Sequence, residues 1–361
     1  MNMELKYHNI ILRDMEERDI GDEIRWNTVQ TQWALWDAPW EMEEELKTFD
    51  AEAHRKKELE WIAKPKPDHR RCLELETWDG VHLGAVNCYC IDDDCNWLEK
   101  APDTEEGRKA ARWAVGLDIC EPAYWNGGWG AQALAAFIRY HLDGGYTELY
   151  TQTWSGNVRM TALAEKLGFR ECRRKEGIRQ VRGETYDGLT FRLDRDAFEE
   201  YCARPGAAVC VRPVEDPGEK EAIAASVLSG LPEWFGLPDS TAEYVRASRR
   251  LPFWAALEDG KAAGFAALKE TAPKTVEIYV MGVRPGLHRA GVGRRLFAAL
   301  YRHAKERGYA FLQVKTVQEG HYPAYDRTNA FYRAVGFTEL ECFPSLWDAW
   351  NPCQVLVMAV R

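Results

Sequence analysis

The chain has 361 residues, 46% of them hydrophobic and 29% charged, with a formal net charge of -10. That length exceeds what one hydrophobic core usually serves, so two domains are expected, and the negative balance argues against nucleic acid as a partner and favours a cationic small molecule. Ten cysteines are too sparse for a disulfide framework, and the opening MNMELKYHNIILRDMEERDI holds neither a signal peptide nor a membrane span, so a cytoplasmic protein with no membrane partner is expected.

In chain order, IILRDMEERDI at 10–20 reads as an apolar strand, an arginine and an acidic helix entry. RRCLELETWDGVHLGAVNCYCI then reads as two strands joined at Asp79-Gly80. Cys88 and Cys90, one residue apart on an alternating strand, share a face without the two-residue spacing of a zinc knuckle, and Cys95 does not supply it. No metal is expected. ARWAVGLDI at 111–119 is the next strand, and it enters CEPAYWNGGWGAQALAAFIRYHL, a glycine turn followed by a helix whose Leu134, Phe137, Ile138 and His141 keep a helical period. GNVRMTALAEKLGFREC adds a short helix ending at Gly168-Phe169.

The pattern restarts near residue 205. FEEYCARPGAAVCVRPVEDPGE ends a helix, crosses a Pro-Gly-Ala stretch and begins a strand at Val209–Val211, with the same outline as residues 10–20. PFWAALEDGKAAGFAALKET repeats the hairpin around Asp259-Gly260, and VEIYVMGV at 276–283 repeats the strand. RPGLHRAGVGRRLFAALYRHA repeats the glycine turn and helix, with Leu296, Phe297, Leu300 and Ala304 on one side. TNAFYRAVGFTEL repeats the short helix, carrying Phe331, Tyr332 and Val335 and stopping at Gly336-Phe337. The tail FPSLWDAWNPCQVLVMAV reads as a loop and a closing strand, with Cys353 structural and Trp347 and Trp350 near a pocket.

The strand, glycine turn and helix order suits an anion. Gly291 and Gly293 let backbone approach a ligand, and the first helical turn offers free N–H groups and a favourable dipole to phosphate oxygens. His288, Arg289, Arg294 and Arg295 would add charge. A plain glycine turn with solvent-facing arginines is the alternative reading.

With this glycine turn and the Gly-Phe ending paired in both halves, the chain resembles the GNAT superfamily of acyl-CoA dependent N-acetyltransferases, arranged as a tandem. The resemblance implies an α/β (α+β) fold of two domains, 1–204 and 209–361, each a mixed twisted sheet flanked by helices and splayed at a coenzyme cleft. HRAGVG is similar to the superfamily's pyrophosphate pattern, with His288 at its Gln/Arg position. By resemblance, Val280 to Val283, including Met281 and Val283, would line the pantetheine arm. His288, Arg289, Ala290, Gly291, Val292, Gly293 and Arg294 would cradle the pyrophosphate, and Asn329 would lie along the channel. Tyr332 would protonate the leaving thiolate, and Glu277 would take a proton from the acceptor amine. These roles suit the chemistry: an amine must lose a proton before it attacks, and a phenol's ordinary pKa, about 10, lies above that of a thiol. A solvent-face Glu277 and a packed Tyr332 are the structural alternatives.

The first half departs from the pattern. Gly128 and Gly130 fit the glycine pair and Asn157 a coenzyme contact, but Trp125 replaces the Gln/Arg. The position matching Glu277 is Ala114, that matching Tyr332 is Ala164, and Met160 stands where the resemblance implies serine. This half is therefore expected to be degenerate in catalysis, and the second to be catalytic. Acceptor walls are expected at WNTVQTQWALWDAPWEMEEE and at SGLPEWFGLPDSTAEY, where Glu233, Trp234 and Phe235 would suit a cationic or ring-bearing amine, or else pack as a lid. His321 is a second candidate for relaying the acceptor proton. The implied activity is transfer of acetyl from acetyl-CoA to a primary amine of a small molecule, by a monomer or homodimer. Protein or peptide acetylation, and non-catalytic acyl-CoA binding, are the alternatives.

Overall fold

The computed structural model describes residues 2–102, 104–348 and 350–361. The chain forms two compact units, dividing between Ala208 and Val209.

The first unit contains strands β1 (Glu4–Tyr7), β2 (Ile10–Arg13), β3 (Cys72–Thr77), β4 (His82–Ile91), β5 (Arg112–Ile119), β6 (Glu148–Trp154), β7 (Phe169–Val181) and β8 (Glu184–Leu193). Its helices are α1 (Ile20–Thr28), α2 (Pro39–Thr48), α3 (Ala51–Ala63), α4 (Glu105–Ala110), α5 (Trp129–Asp143), α6 (Val158–Lys166) and α7 (Arg195–Cys202). The sheet runs β1-β2-β3-β4-β5-β6-β8-β7, antiparallel except for β5 and β6. Helix α5 is buried on most of its circumference, which is why its sequence is apolar well beyond a single stripe.

The second unit contains β9 (Val209–Val214), α8 (Pro217–Leu228), α9 (Pro238–Ser248), β10 (Phe253–Glu258), β11 (Lys261–Ala272), β12 (Thr275–Val283), α10 (Val292–Glu306), β13 (Phe311–Val317), α11 (Pro323–Ala334), β14 (Thr338–Asp348) and β15 (Asn351–Ala359). Its sheet, β14-β15-β13-β12-β11-β10-β9, repeats the first in order and has its one parallel pair at β12 and β13. The β10–β11 hairpin closes through Asp259 and Gly260, both left-handed (φ 49° and 73°), the two-residue turn that matches strand twist. One core lies under α10, where Leu296, Leu300 and Ala304 meet Val276, Ile278 and Val314. The other lies under α8, where Ile223, Ala224 and Val227 meet Phe265 and Val280.

Two mixed sheets flanked by helices are thus present, as expected. One expectation needs correcting: residues 343–348 are not a loop but the end of β14. Pro344 is tolerated there because β14 is the sheet's edge strand and pairs only with β15.

The first unit also holds a histidine pair, His141 buried and His69 half-buried. His69 stacks on Tyr140 and Tyr146, with ring centroids 4.4 and 4.2 Å away, and its Nε2 lies 2.8 Å from Nδ1 of His141. Burial pushes His69 down to about 4, and burial with its neighbour pushes His141 down to about 3. Both values lie below the unfolded histidine value of about 6.5, so their stabilising contribution is complete above that pH and is lost as pH falls through the folded values. Thermal unfolding followed from pH 7 downward is expected to show a destabilising limb beginning near about pH 6.5, and His141→Leu, which removes one titrating ring, is expected to flatten it.

Candidate active site

The site begins where two strands part. β12 pairs with β13 only from Thr275↔Phe311 to Ile278↔Val314, after which β13 continues against β15 alone. Residues 279–283 therefore present one edge of unpaired backbone groups. At the same point β12 bulges: Leu268 faces Ile278 and Ala267 faces Val280, which leaves Tyr279 extra. Tyr279 and Val280 consequently both pack toward α8 and α9, while Met281 and Val283 turn to the α10 side. β5 and β6 part similarly after Ala114↔Tyr150, but the β4–β5 register runs without a bulge.

Beyond the splay lies the glycine turn. Arg289 and Gly291 are left-handed (φ 62° and 79°), and α10 starts at Gly291 with no side-chain cap. Its first N–H groups are left for a ligand or water. An ideal Cβ on Gly293 would come 3.2 Å from the Phe331 ring, so a side chain there would crowd the turn against α11. The first unit repeats this backbone. Asn126 and Gly128 are left-handed (φ 61° and 100°), and the turn bonds Trp125 N–H to Pro122 O and Gln132 N–H to Gly128 O match those of His288 to Pro285 and Arg295 to Gly291. A Cβ on Gly130 would come 3.3 Å from Leu117.

The side chain three residues before the helix's glycine has the same task in both halves. His288 Nε2 lies 2.8 Å from the Val283 carbonyl and donates to it, and Trp125 Nε1 donates to the Ile119 carbonyl at 2.7 Å. Each ring ties the turn back to the end of the preceding strand. The His288 ring is thereby turned to the strand rather than left free for an anion. Arg295 is likewise engaged, donating to Val209 O at 2.6 Å. Arg289 and Arg294 are exposed and have no partner among the described residues, so they are the cations beside the turn that remain available.

On the α10 and α11 side of the cleft, polar atoms lack partners. Asn329, 1% exposed, donates to Val317 O at 3.0 Å, but among the described residues its Oδ1 accepts nothing, and neither does Thr316 Oγ1 on β13. Asn329 lies in the second half of α11. Tyr332 is buried, its hydroxyl makes no hydrogen bond to a described residue, and burial pushes its phenol well up.

On the opposite face Glu277, 6% exposed, lines a cavity of about 470 Å³ with Asp239, Ser240, Glu243, Tyr244, Tyr279, Lys315 and Trp347. Its Oε2 accepts from Lys315 Nζ at 2.6 Å and from Gln313 Nε2 at 2.9 Å, while Oε1 has no partner among the described residues. Tyr244 meets Tyr279 edge to face at 5.2 Å, and burial pushes both phenols up.

Several candidates lie elsewhere. His321 is exposed in the turn before α11 and does not line the cavity. Trp234 donates to Thr328 Oγ1 and meets the His288 ring edge to face, so it braces α11 and the turn. Trp350 is 79% exposed. In the first unit Ala114 sits in a closed cluster with Ile91, Cys95 and Tyr150, and Ala164 is buried. Asn157 spends its amide on Trp36 O and its Oδ1 on Met160 N–H. Further along β5, burial and the facing Asp37 push the Asp118 carboxyl well above the usual range. Sequence reasoning missed Lys315, Gln313 and Tyr279, while Asp239, Glu243 and Tyr244 fall within the stretch 229–244 expected to wall the acceptor, though Glu233, Trp234 and Phe235 were the residues named there. The signal for the first two was present in FLQVKTV, whose alternation places them on one face.

Residues 9–170 match the family model described as Acetyltransferase (GNAT) domain, and residues 221–337 the model described as Acetyltransferase (GNAT) family. No curated protein matches the chain. Solved structures similar to it include the IAA acetyltransferase from Bacillus cereus, at 24% identity and TM-score 0.34 over 42% of this chain and 99% of that one. The acetyltransferase (GNAT family) from Bacillus anthracis is 13% identical, with TM-score 0.39, over 54% of this chain and 99% of that one. The protein yncA from Salmonella typhimurium, solved with its cofactor acetyl-CoA, is 16% identical, with TM-score 0.35, over 42% and 94%.

His288→Ala removes the donor to the Val283 carbonyl and is expected to cost about 1 kcal/mol in urea denaturation. His288→Trp supplies the donor used by the other half and is expected to lose less.

Proposed function

We propose, for a chain that belongs to the GNAT superfamily of acetyltransferases with one such domain in each half, that the C-terminal domain moves an acetyl group from acetyl-CoA to a primary amine of a small molecule. Acetyl-CoA dependent acetyl transfer is the general activity of the family. The observation that carries it is Glu277, a buried carboxylate at the parting of β12 and β13 that lines an open cleft, with one oxygen left without a partner among the described residues.

The residues present fit the coenzyme. The edge of 279–283, including Met281 and Val283 but apart from the Val283 carbonyl held by His288, suits the amide groups of a pantetheine arm, and Asn329 Oδ1 and Thr316 Oγ1 suit donors from it. The N–H groups from Gly291 to Arg294, with the Arg289 and Arg294 side chains, suit the pyrophosphate, while the Ala290 N–H is held by the Leu287 carbonyl within the turn. Bound there, the coenzyme supplies an activated acetyl carbonyl and a thiolate leaving group.

Glu277 Oε1 receives the acceptor's ammonium proton, directly or through one water, so that the neutral nitrogen can form the C–N bond. Free N–H groups on the β12 edge stabilise charge on the carbonyl oxygen as the C–S bond breaks. Tyr332 donates its hydroxyl to the departing sulfur. Because burial raises the phenol, it keeps its proton and steadies the departing thiolate as a hydrogen-bond donor; the second proton of the attacking nitrogen, lost as the amide forms, passes through solvent to the sulfur, and Glu277 returns its own proton to solvent. The cavity's surplus of carboxylates, Asp239, Glu243 and Glu277 against Lys315, with walls of Tyr244, Tyr279 and Trp347, favours a cationic acceptor. The N-terminal domain, with Ala114 and Ala164 at the two positions, is read as non-catalytic, Gly128, Gly130 and Asn157 marking its coenzyme-like turn and helix.

Coenzyme A release with a panel of small amines tests this. Glu277→Gln is expected to lower kcat/KM by about 10²–10⁴-fold without loss of acetyl-CoA binding, and Tyr332→Phe to lower kcat with KM nearly unchanged. Wild-type turnover retained by Glu277→Gln would contradict the assignment.

A further inference from the structure

Resting on the reading of Glu277 as the acceptor base, we propose that Lys315 is its positioning residue, clamping Oε2 together with Gln313 so that Oε1 is presented to the acceptor cavity. The geometry is built into the sheet. Glu277 and Gln313 are partners across the parallel pair of β12 and β13, and Lys315, two residues on, lies on the same face. Both donors take one oxygen, at 2.6 and 2.9 Å, and Glu277 is the only partner of the Lys315 ammonium among the described residues. A carboxylate buried this far without an opposite charge would favour its neutral form and lose the capacity to accept a proton.

The chain carries its own comparison. Ala114↔Tyr150 is the strand pair that corresponds to Glu277↔Gln313, and Gln152 corresponds to Lys315. All three members differ together in the N-terminal domain. There Tyr150 donates to Glu148, and Gln152 bonds Tyr89, Cys95 O and Thr190, within and around the closed cluster that contains Ala114. Where the carboxylate is missing, the lysine and the amide donor to it are missing as well, as expected of a functional unit rather than of an incidental surface ion pair.

Other groups face Glu277 and remain in any variant of Lys315. Lys269 is opposite it on β11, with its ammonium over the Tyr279 ring at 4.8 Å. Tyr279 lies on β12 itself, Asp239, Glu243 and Tyr244 come from α9, and Cys353 from β15. Glu243 is paired with Arg246. Lys315 is the cation in direct contact, so its removal is expected to dominate.

The test is the titration of the Glu277 carboxyl by carbon-13 NMR in the full chain, with Glu277→Gln identifying the signal. In Lys315→Met the midpoint is expected to move up by about one pH unit or more, and Lys315→Arg is expected to restore it. The acid limb of kcat/KM should move with the midpoint. Should Lys315→Met fail to fold, Lys315→Gln serves in its place. An unshifted midpoint in a folded variant overturns the proposal, even if activity falls. Because the titration needs no turnover, a wild type that shows the clamp and yet acetylates no amine would count against the transfer reading alone.

Discussion

The parting of β12 from β13 beyond Ile278 and Val314 is the constraint on which the C-terminal domain's chemistry depends. A parallel pair held along its full length would satisfy every backbone group and leave nothing for a ligand. Ending the ladder after four residue pairs opens an edge in mid-sheet, between elements that are otherwise close packed. The bulge at Tyr279 falls on this point and turns Tyr279 and Val280 toward one face, while Met281 and Val283 take the other. Tyr332 and Asn329 thus lie on one face of the strand and Glu277 on the other.

The two halves show which parts of this arrangement travel with the fold and which do not. The turn before the long helix has the same left-handed positions, the same backbone hydrogen bonds and a ring donor to the end of the preceding strand in both. The bulge, the carboxylate and its two donors belong to the C-terminal half. In the N-terminal half the corresponding positions are filled by Ala114, Tyr150 and Gln152, packed or bonded internally. The glycine turn and the face that carries Glu277 are separable, and only the second distinguishes the domains sharply.

Much of this was legible in the sequence. The glycine turns, the paired hairpins and the Gly-Phe endings placed both sheets and their long helices, because each rests on local signals: positive-φ residues, alternation and helical period. Glu277 and Tyr332 were singled out by resemblance to the superfamily, and counting from the glycine turn and the Gly-Phe ending gave Ala114 and Ala164 as their counterparts. Lys315 and Gln313 were not singled out, since their meaning comes from β12–β13 register, which is non-local. The donors from His288 and Trp125 were hidden for a related reason: two unlike rings serve one carbonyl geometry, and residue identity alone suggests a phosphate ligand in one case and a loss in the other. Pro344 and Ser345 disguised the end of β14, where an edge position removes the usual penalty on proline.

The central claim is that a coenzyme site in the C-terminal domain serves the Glu277 cavity. Calorimetric titration of acetyl-CoA into the intact chain and into Gly291→Glu/Gly293→Glu tests it most directly, because the two carboxylates would occupy and repel the anion position without touching Glu277 or Tyr332. The account predicts that the double substitution removes one binding site per chain. Acetyl-CoA binding with unchanged stoichiometry and affinity in the substituted chain would contradict it.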